Sequence, residues 1–282
     1  MIHQLDLNGN DKVDKAIMRL KAYEPPEGYY LCFSGGKDSV VIKALADMAG
    51  VKYDAHYNVT GIDPPELVKF IKDHHKDVEF DTPHDKDGNR ITMWTLIPKK
   101  RMPPTRLVRY CCQELKERGG EGRFVITGVR WAESAKRKNN RHVAEIHGRG
   151  GAQIFNTDNT EDAPTFKFCQ QHHKRVLNPI VDWTDAEIWE FIKEYSVAYC
   201  ELYDKGYKRL GCIGCPMANT KQELEDYPKF KKLYLIAFDK MICARKEAGL
   251  KTEWDTAQQV MDWWLKEDRQ MPDTIITDLI NE

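Results

Sequence analysis

The segment Ser34-Gly35-Gly36-Lys37-Asp38-Ser39 concentrates groups that bind anions. Its glycines let an anion approach the main chain, its serines supply hydroxyl donors, and Lys37 adds a positive charge. Between a strand and a helix, such a segment aims several backbone N–H groups at one point beside the positive end of the helix dipole. Phosphate binding is the chemistry these residues predict. The spacing is not that of a Walker A loop, because Gly-x4-Gly-Lys-Ser/Thr is missing. A second concentration is of thiols, Cys111-Cys112 and Cys212-x-x-Cys215. A tight turn in Cys-x-x-Cys aims both sulfurs at one centre, and adjacent cysteines join the same centre where the backbone is kinked. Four thiolates suit a 4Fe-4S cluster or structural zinc, and unligated thiols are the remaining alternative. Cys169, beside His172 and His173, is the alternative ligand if Cys111 or Cys112 does not take part.

These groups need a scaffold, and the hydrophobic pattern describes one. Val13, Ala16, Ile17 and Leu20 recur at helical spacing within residues 11–23, with Asp11 as the N-terminal cap. Pro25-Pro26 and Gly28 end that helix, and Tyr29 to Phe33 reads as a buried strand. A helix over Val40–Ala49, a strand over Tyr53–Val59, a helix over Pro65–His74 and a short strand over Val78–Phe80 follow. Phe124 to Val129 is another buried strand, with a helix entering through Glu133 and Ser134. Asn178-Pro179 interrupts the apolar run Val176–Val181, which predicts a short edge strand or an extended segment. Asp185 to Tyr195 is helical, with Thr184 or Asp185 as its cap. Lys221 to Lys266 is mostly helical, and residues 147–164, rich in Gly, Asn, Thr and Asp, read as a long surface loop. Strands alternating with helices imply a parallel sheet with helices on both faces.

With Phe33 before it and Val40 after it, Ser-Gly-Gly-Lys-Asp-Ser resembles the signature of PP-loop (ATP pyrophosphatase) enzymes. Further segments narrow the resemblance to the phosphoadenosine phosphosulfate (PAPS) reductase family. They are Arg109-Tyr110-Cys111-Cys112-Gln113-Glu114-Leu115-Lys116, Gly128-Val129-Arg130 with Glu133-Ser134-Ala135-Lys136-Arg137, Asn178-Pro179-Ile180-Val181-Asp182-Trp183, and Gly211-Cys212-Ile213-Gly214-Cys215-Pro216. The resemblance implies an α/β fold of the adenine nucleotide alpha hydrolase-like kind over residues 1–218, with a helical extension, 219–282, packed on it. It implies that Ser34, Gly35, Gly36, Lys37, Asp38 and Ser39 cradle a phosphate or sulfate group. Arg130 would reach the nucleotide's anionic part from the end of a later strand, where ligands of parallel sheets sit, and Arg137 is a further residue of that kind. Lys37, Asp38 and Arg130 are the expected catalytic residues. The implied nucleotide is ATP with magnesium, or PAPS or adenylyl sulfate. The cysteine pattern is similar to the cluster site of plant-type and many bacterial adenylyl sulfate reductases.

The expected reaction is cleavage of ATP between its α and β phosphates, releasing pyrophosphate, coupled to sulfur transfer with an iron–sulfur cluster. Similar DNA phosphorothioation and tRNA thiolation enzymes suggest that coupling. One alternative is a sulfonucleotide reductase that releases sulfite, with a thiol partner such as thioredoxin. Another is a non-catalytic nucleotide-binding module of a nucleic-acid modification or defence complex. Sulfite-forming reductases resemble one another in a C-terminal Glu-Cys-Gly-Leu-His segment whose cysteine attacks sulfur. No such segment follows Cys215 here. Cys243, in a helical pattern, is expected to be a buried and unreactive thiol, and Cys32 and Cys200 are expected in the core. This favours the ATP-cleaving reading.

Composition narrows the partners. The 282 residues carry 43 basic and 44 acidic side chains, a net charge of −1, so any nucleic-acid acceptor must be held by a local patch. Lys136-Arg137-Lys138 with Arg141, and Lys99-Lys100-Arg101, are such patches, with a solvated charged face as the plainer reading. His74-His75 and His172-His173 read as surface residues with metal binding as the alternative, Trp254, Trp263 and Trp264 as packing against the sheet domain, and Asp182 as a ligand for water, magnesium or a neighbouring helix, or as a cap. The eight cysteines read as thiols rather than disulfides in a chain this long without a secretion pattern. No apolar run reaches membrane-spanning length, so the expected location is cytoplasmic, with no membrane partner.

Overall fold

A computed structural model describes residues 2–117, 119–148, 151–155, 174–266, 272 and 274–276. In chain order its first elements are α1 (Lys12–Tyr23), β1 (Tyr29–Cys32), α2 (Lys37–Ala49), β2 (Tyr53–Asn58), α3 (Pro65–His74) and β3 (Glu79–Asp81). Next come α4 (Met93–Lys100), α5 (Tyr110–Leu115), β4 (Phe124–Ile126), α6 (Ala135–Asn140), β5 (Ala144–Gly148), β6 (Gly151–Phe155) and β7 (Lys174–Leu177). The last are α7 (Asp185–Glu194), α8 (Thr220–Asp226), α9 (Pro228–Glu247) and α10 (Ala257–Trp264). Two compact units result. The first comprises Met1–Asn58, Pro65–Asp81 and Gly119–Leu210, the second Val59–Pro64, Thr82–Arg118 and Gly211–Glu282.

The first unit holds a sheet of order β3-β2-β1-β4-β7-β5-β6. Neighbours from β3 through β7 are parallel, and β5 pairs antiparallel with both β7 and β6. The alternation of short apolar runs with amphipathic helices therefore gives the expected mostly parallel α/β sheet with helices around it. Asp11 caps α1 in a reciprocal box with Asp14, and Val13, Ala16 and Leu20 are buried. The Asp182 carboxylate receives Arg19 of α1 at 2.8 Å, so it ties the segment after β7 to a neighbouring helix.

Three local expectations are corrected. First, β7 lies inside the sheet between β4 and β5, not at an edge. Asn178 and Pro179 come after its last ladder residue, Leu177, so the proline removes no ladder hydrogen bond. Second, residues 147–148 and 151–155 pair as strands where a loop was expected. Gly and polar residues there hid the pairing, and residues 156–164 of that segment lie outside the described residues. Third, α2 starts at Lys37 rather than Val40, so the second half of the glycine-rich segment is already helix.

The second unit is helical around one apolar cluster, to which Tyr234, Phe238, Met241, Trp254, Val260 and Trp264 belong. Trp264 lies tilted against Tyr234, ring centroids 4.8 Å apart, and donates from Nε1 to the Pro104 carbonyl at 2.7 Å. The tryptophans thus pack within this unit, and the unit draws on residues 59–64 and 82–118 as well as the C-terminal helices. Helices α4 and α5 are additions to the sequence reading; Thr92 caps α4 in a box with Thr95. Cys200 is buried as expected, Cys32 is half-buried, and Cys243 is exposed on α9 rather than buried. No helix of the described residues is long and apolar enough to cross a membrane.

Candidate functional site

The first cluster forms where β1 hands over to α2. The Phe33 N–H extends the ladder to the His56 carbonyl at 2.9 Å, and Ser34, Gly35 and Gly36 then turn the chain. Gly35 has φ +73°, and a Cβ there would stand 2.8 Å from side-chain atoms of Leu67 and Ile71. Both conformation and space therefore dictate glycine. Gly36 is the N-cap of α2 and has an ordinary φ. Ser39 Oγ donates to the Gly36 carbonyl at 2.8 Å and lies 3.3 Å from Ser34 Oγ. The two hydroxyls thus build the turn as well as offering donors. The Lys37 N–H, in the first turn of α2, donates to the Tyr203 hydroxyl at 2.8 Å. No residue near Tyr203 in the chain marks it for this position.

Charged side chains close over the start of α2. Arg130, after β4, is 1% exposed. Its Nε donates to Asp38 Oδ1 at 2.7 Å, Nη2 to Asp185 Oδ1 at 2.5 Å and Nη1 to the Trp183 carbonyl at 3.2 Å. Lys37 Nζ lies 3.6 Å from Asp38 and 3.5 Å from Asp185. Two cations therefore face two carboxylates. Burial pushes the Asp185 carboxyl up, but the Arg130 hydrogen bond and the Lys37 charge outweigh it and hold the group below its ordinary range. The Asp185 side chain is nevertheless 68% exposed. Thr184 is the cap of α7, in a box with Glu187, which leaves Asp185 available for this cluster. Gly128 permits the close approach: a Cβ there would stand 3.0 Å from Asp38 Cβ.

Arg137 does not join these groups through any polar contact among the described residues. It pairs with Glu133, whose Oε1 also accepts from the Arg130 main chain at 3.0 Å. The basic cluster around it lies on the short helix α6, which buries no residue.

The second cluster lies wholly within the second unit. Cys111 and Cys112 sit in the first turn of α5, and all four candidate thiols are half-buried. Cys215 N–H closes a turn onto the Cys212 carbonyl at 3.1 Å. Inside that turn Gly214 has φ +74°, and a Cβ would stand 2.8 Å from the Tyr234 ring. Tyr234 itself donates to the Ile213 carbonyl at 2.9 Å, and Glu223 accepts the Gly214 N–H at 2.9 Å. Lys116 is a partner the sequence reading quoted without a role. Burial pushes its ammonium down, but Cys212, Asp63 and Cys112 more than compensate and raise it above its ordinary range. The hydrogen bond from Cys111, aided by Lys116 and Arg109, lowers the Cys112 thiol. Burial raises Cys212 to about 12, against the pull of Lys116.

Four sulfur donors beside the half-buried Lys116 ammonium fit, in chemistry, an iron–sulfur cluster or zinc. Zn–S bonds of about 2.3 Å place tetrahedral sulfurs about 3.8 Å apart. No three of these sulfurs lie within 4.8 Å of one another among the described residues. Cys169, the alternative ligand, and His172 and His173 beside it lie outside the described residues. The one close mixed grouping found among the described residues is His56, Glu79 and Asp81 on β2 and β3. There His56 Nδ1 lies 3.0 Å from Asp81, which also accepts from Tyr30 at 2.9 Å.

Comparison with known proteins adds the following. Residues 28–218 match the family described as phosphoadenosine phosphosulfate reductase domain. An uncharacterized protein of Methanocaldococcus jannaschii is 28% identical over 221 residues, covering 77% of this chain and 47% of its own length. The chain thus spans about half of that relative. An adenosine 5'-phosphosulfate reductase of Staphylococcus epidermidis is 24% identical over 230 residues, covering 76% of this chain and 81% of its own. Among solved structures, a phosphoadenylyl-sulfate reductase from Candida auris superposes with a TM-score of 0.46 at 17% identity, covering 70% of this chain and 87% of that one. The FMN adenylyltransferase of Candida glabrata gives 0.45 at 15% identity, covering 72% and 63%.

Proposed function

The chain belongs to the phosphoadenosine phosphosulfate reductase family, and from that premise we propose that it is an enzyme binding ATP with magnesium at the start of α2. The observation that carries this reading is the carboxylate pair Asp38 and Asp185 beside a phosphate-binding turn. Arg130 and Lys37 balance the two carboxylates in the ligand-free site, so an anion that engages either cation leaves a carboxylate charge to be met. The carboxylates suit a polyphosphate that brings a divalent cation, which binds through one or two carboxylates and the phosphates together. Gly35 and Gly36 let the phosphates reach the main chain, and the dipole of α2 favours their charge. Lys37 supplies a point positive charge for the leaving pyrophosphate, which is electrostatic stabilisation of the transition state. Arg130, buried between the two acids, positions them for magnesium, and Arg137 orients Glu133 behind it.

The reaction is attack by an acceptor oxygen on the α phosphorus. The bond from that phosphorus to the bridging α–β oxygen breaks, and pyrophosphate leaves with the electron pair. A sulfide-level sulfur nucleophile from a donor then attacks the adenylated atom, its new bond to sulfur forming as the bond to the adenylate oxygen breaks and AMP leaves with the electron pair. Cys111, Cys112, Cys212 and Cys215 are the ligands we assign to a 4Fe-4S cluster, supported by four half-buried thiols gathered in one unit. When bound, such a cluster supplies a site for holding or relaying sulfur. Lys116 balances the negative charge of the thiolates, and Tyr234 and Glu223 hold the Cys212–Cys215 turn in shape.

A second reading, reduction of a sulfonucleotide to sulfite with a thiol partner protein, is favoured by the similarity to the Staphylococcus epidermidis reductase. Anaerobic protein incubated with ATP, magnesium and candidate nucleic-acid acceptors separates the two. Pyrophosphate release lost in Lys37→Ala supports ATP cleavage. Sulfite release from adenylyl sulfate or PAPS with a thiol reductant, and no pyrophosphate, contradicts it.

A further inference from the structure

Apart from these two clusters, the second unit contains a cavity of about 410 Å³. That is within the range of small-molecule sites, roughly 300–1,000 Å³. Four cationic side chains line it, Lys100, Arg101, Arg109 and Arg245, against one carboxylate, Glu117. Val108 and Leu250 contribute an apolar wall. The basic run Lys99-Lys100-Arg101, which the nucleotide reading leaves unused, thus ends at this cavity.

The four cations are not equally engaged. Lys100 lies 3.7 Å from Glu114. Arg245 is 2% exposed and is held by carbonyl oxygens, that of Lys251 at 2.5 Å and that of Arg101 at 2.9 Å. Among the described residues, the Arg101 and Arg109 side chains have no carboxylate within ion-pair distance.

The backbone at Arg101 points the same way. Arg101 ends α4 with φ +54°, in the left-handed conformation where glycine is the usual residue. A non-glycine residue there costs about 1 kcal/mol or more. Attraction to the helix C-terminus does not require the arginine, because Lys99 and Lys100 already serve that end. The side chain that carries this strain lines the cavity.

We propose that this cavity binds a small phosphate monoester with an apolar body, independently of the turn at Ser34–Ser39. The guanidinium groups of Arg101 and Arg109 take the phosphate oxygens, which their forked N–H donors match. Arg245, buried behind them, donates to the Arg101 carbonyl and so holds the end of α4 that presents Arg101. The apolar wall takes the body of the ligand. Helix α5, which carries Cys111 and Cys112, supplies Arg109's neighbours Tyr110 and Gln113 to the lining, so the ligand would lie against the helix that holds two of the thiols.

The test is calorimetric titration of the full chain with phenyl phosphate, with phenol as the uncharged control. The expected result is saturable binding of phenyl phosphate and none of phenol. Arg101→Gly should weaken phenyl phosphate at least tenfold while holding or raising the melting temperature, since glycine adopts φ +54° freely. Arg109→Gln should weaken it to a similar extent, and Lys37→Ala should leave it unchanged. Absence of saturable binding to the wild-type chain overturns the proposal. So does unchanged affinity in a folded Arg101→Gly protein, or loss of binding in Lys37→Ala, which would assign the phosphate to the turn before α2. Loss of ATP binding in Lys37→Ala bears on the nucleotide reading alone.

Discussion

The Tyr203 hydroxyl accepts the hydrogen bond of the Lys37 N–H at 2.8 Å, at the first residue of α2. A helix leaves its first N–H groups without intrahelical partners, and these are the groups expected to receive a phosphate oxygen. Tyr203 therefore stands where a ligand oxygen would. Tyr203→Phe should cost the ligand-free protein about 1 kcal/mol, the net worth of one hydrogen bond. The same substitution should tighten nucleotide binding severalfold, because no hydroxyl has to be displaced. Thermal unfolding with and without nucleotide measures both. Equal destabilisation in both states, with weaker binding, would mean that Tyr203 supports the ligand instead.

The two glycines of the turn should behave differently. Gly35→Ala places a Cβ 2.8 Å from Leu67 and Ile71 at φ +73°, so a loss of about 1–3 kcal/mol is expected in urea unfolding. Gly36→Ala meets only Ser34 Oγ and Tyr203 Oη, at 3.4 Å. It should stay within about 0.5 kcal/mol of wild type yet weaken nucleotide binding by crowding the approach to the main chain.

Stability should fall with pH through His75. The ring packs on Phe33 at 4.7 Å and Phe70 at 5.2 Å. Burial, aided by the Lys43 charge, lowers it from 6.5 to about 4. Between those values the unfolded chain binds a proton that the folded chain does not. Its contribution is complete above 6.5, declines as pH falls, and is gone below about 4. The urea midpoint should therefore drop on going from neutral pH to about pH 5, and less so in His75→Phe. An NMR titration placing the His75 ring near its ordinary value would contradict this.

Cys212→Ser should lower the iron content of anaerobically purified protein and its thiolate-to-iron charge-transfer absorbance, while ATP binding persists. Wild-type protein holding about four irons per chain fits a cuboidal cluster. Stoichiometric zinc bound by the same four residues would show that the sulfurs close up on a single ion.

The parts of these sites that were legible in the sequence are those built from neighbouring residues. Glycines in Ser34–Ser39 report a turn, and the Cys212-x-x-Cys215 spacing reports another, because both are set within a few residues. Tyr203 was not legible, since its partner lies 166 residues away and nothing local marks it. Asp185 was hidden by its position after Thr184, where an acid at a helix start has a routine explanation. Lys116 stood in a recognised segment, but its contact with Cys212 depends on how the second unit folds. The misplaced strand β7 has a similar origin: Pro179 argued for an edge, and only the ladder ending at Leu177 reveals that the proline lies beyond it.

The measurement that bears most directly on the central claim is calorimetric titration with ATP and with adenylyl sulfate, each with and without magnesium. ATP should bind only weakly without magnesium and at least tenfold more tightly with it. Asp185→Asn should reduce that dependence, because one of the two carboxylates assigned to the cation is gone. Adenylyl sulfate should bind more weakly than magnesium-ATP under every condition. Tight, magnesium-independent binding of adenylyl sulfate, with no measurable binding of magnesium-ATP, would contradict the account.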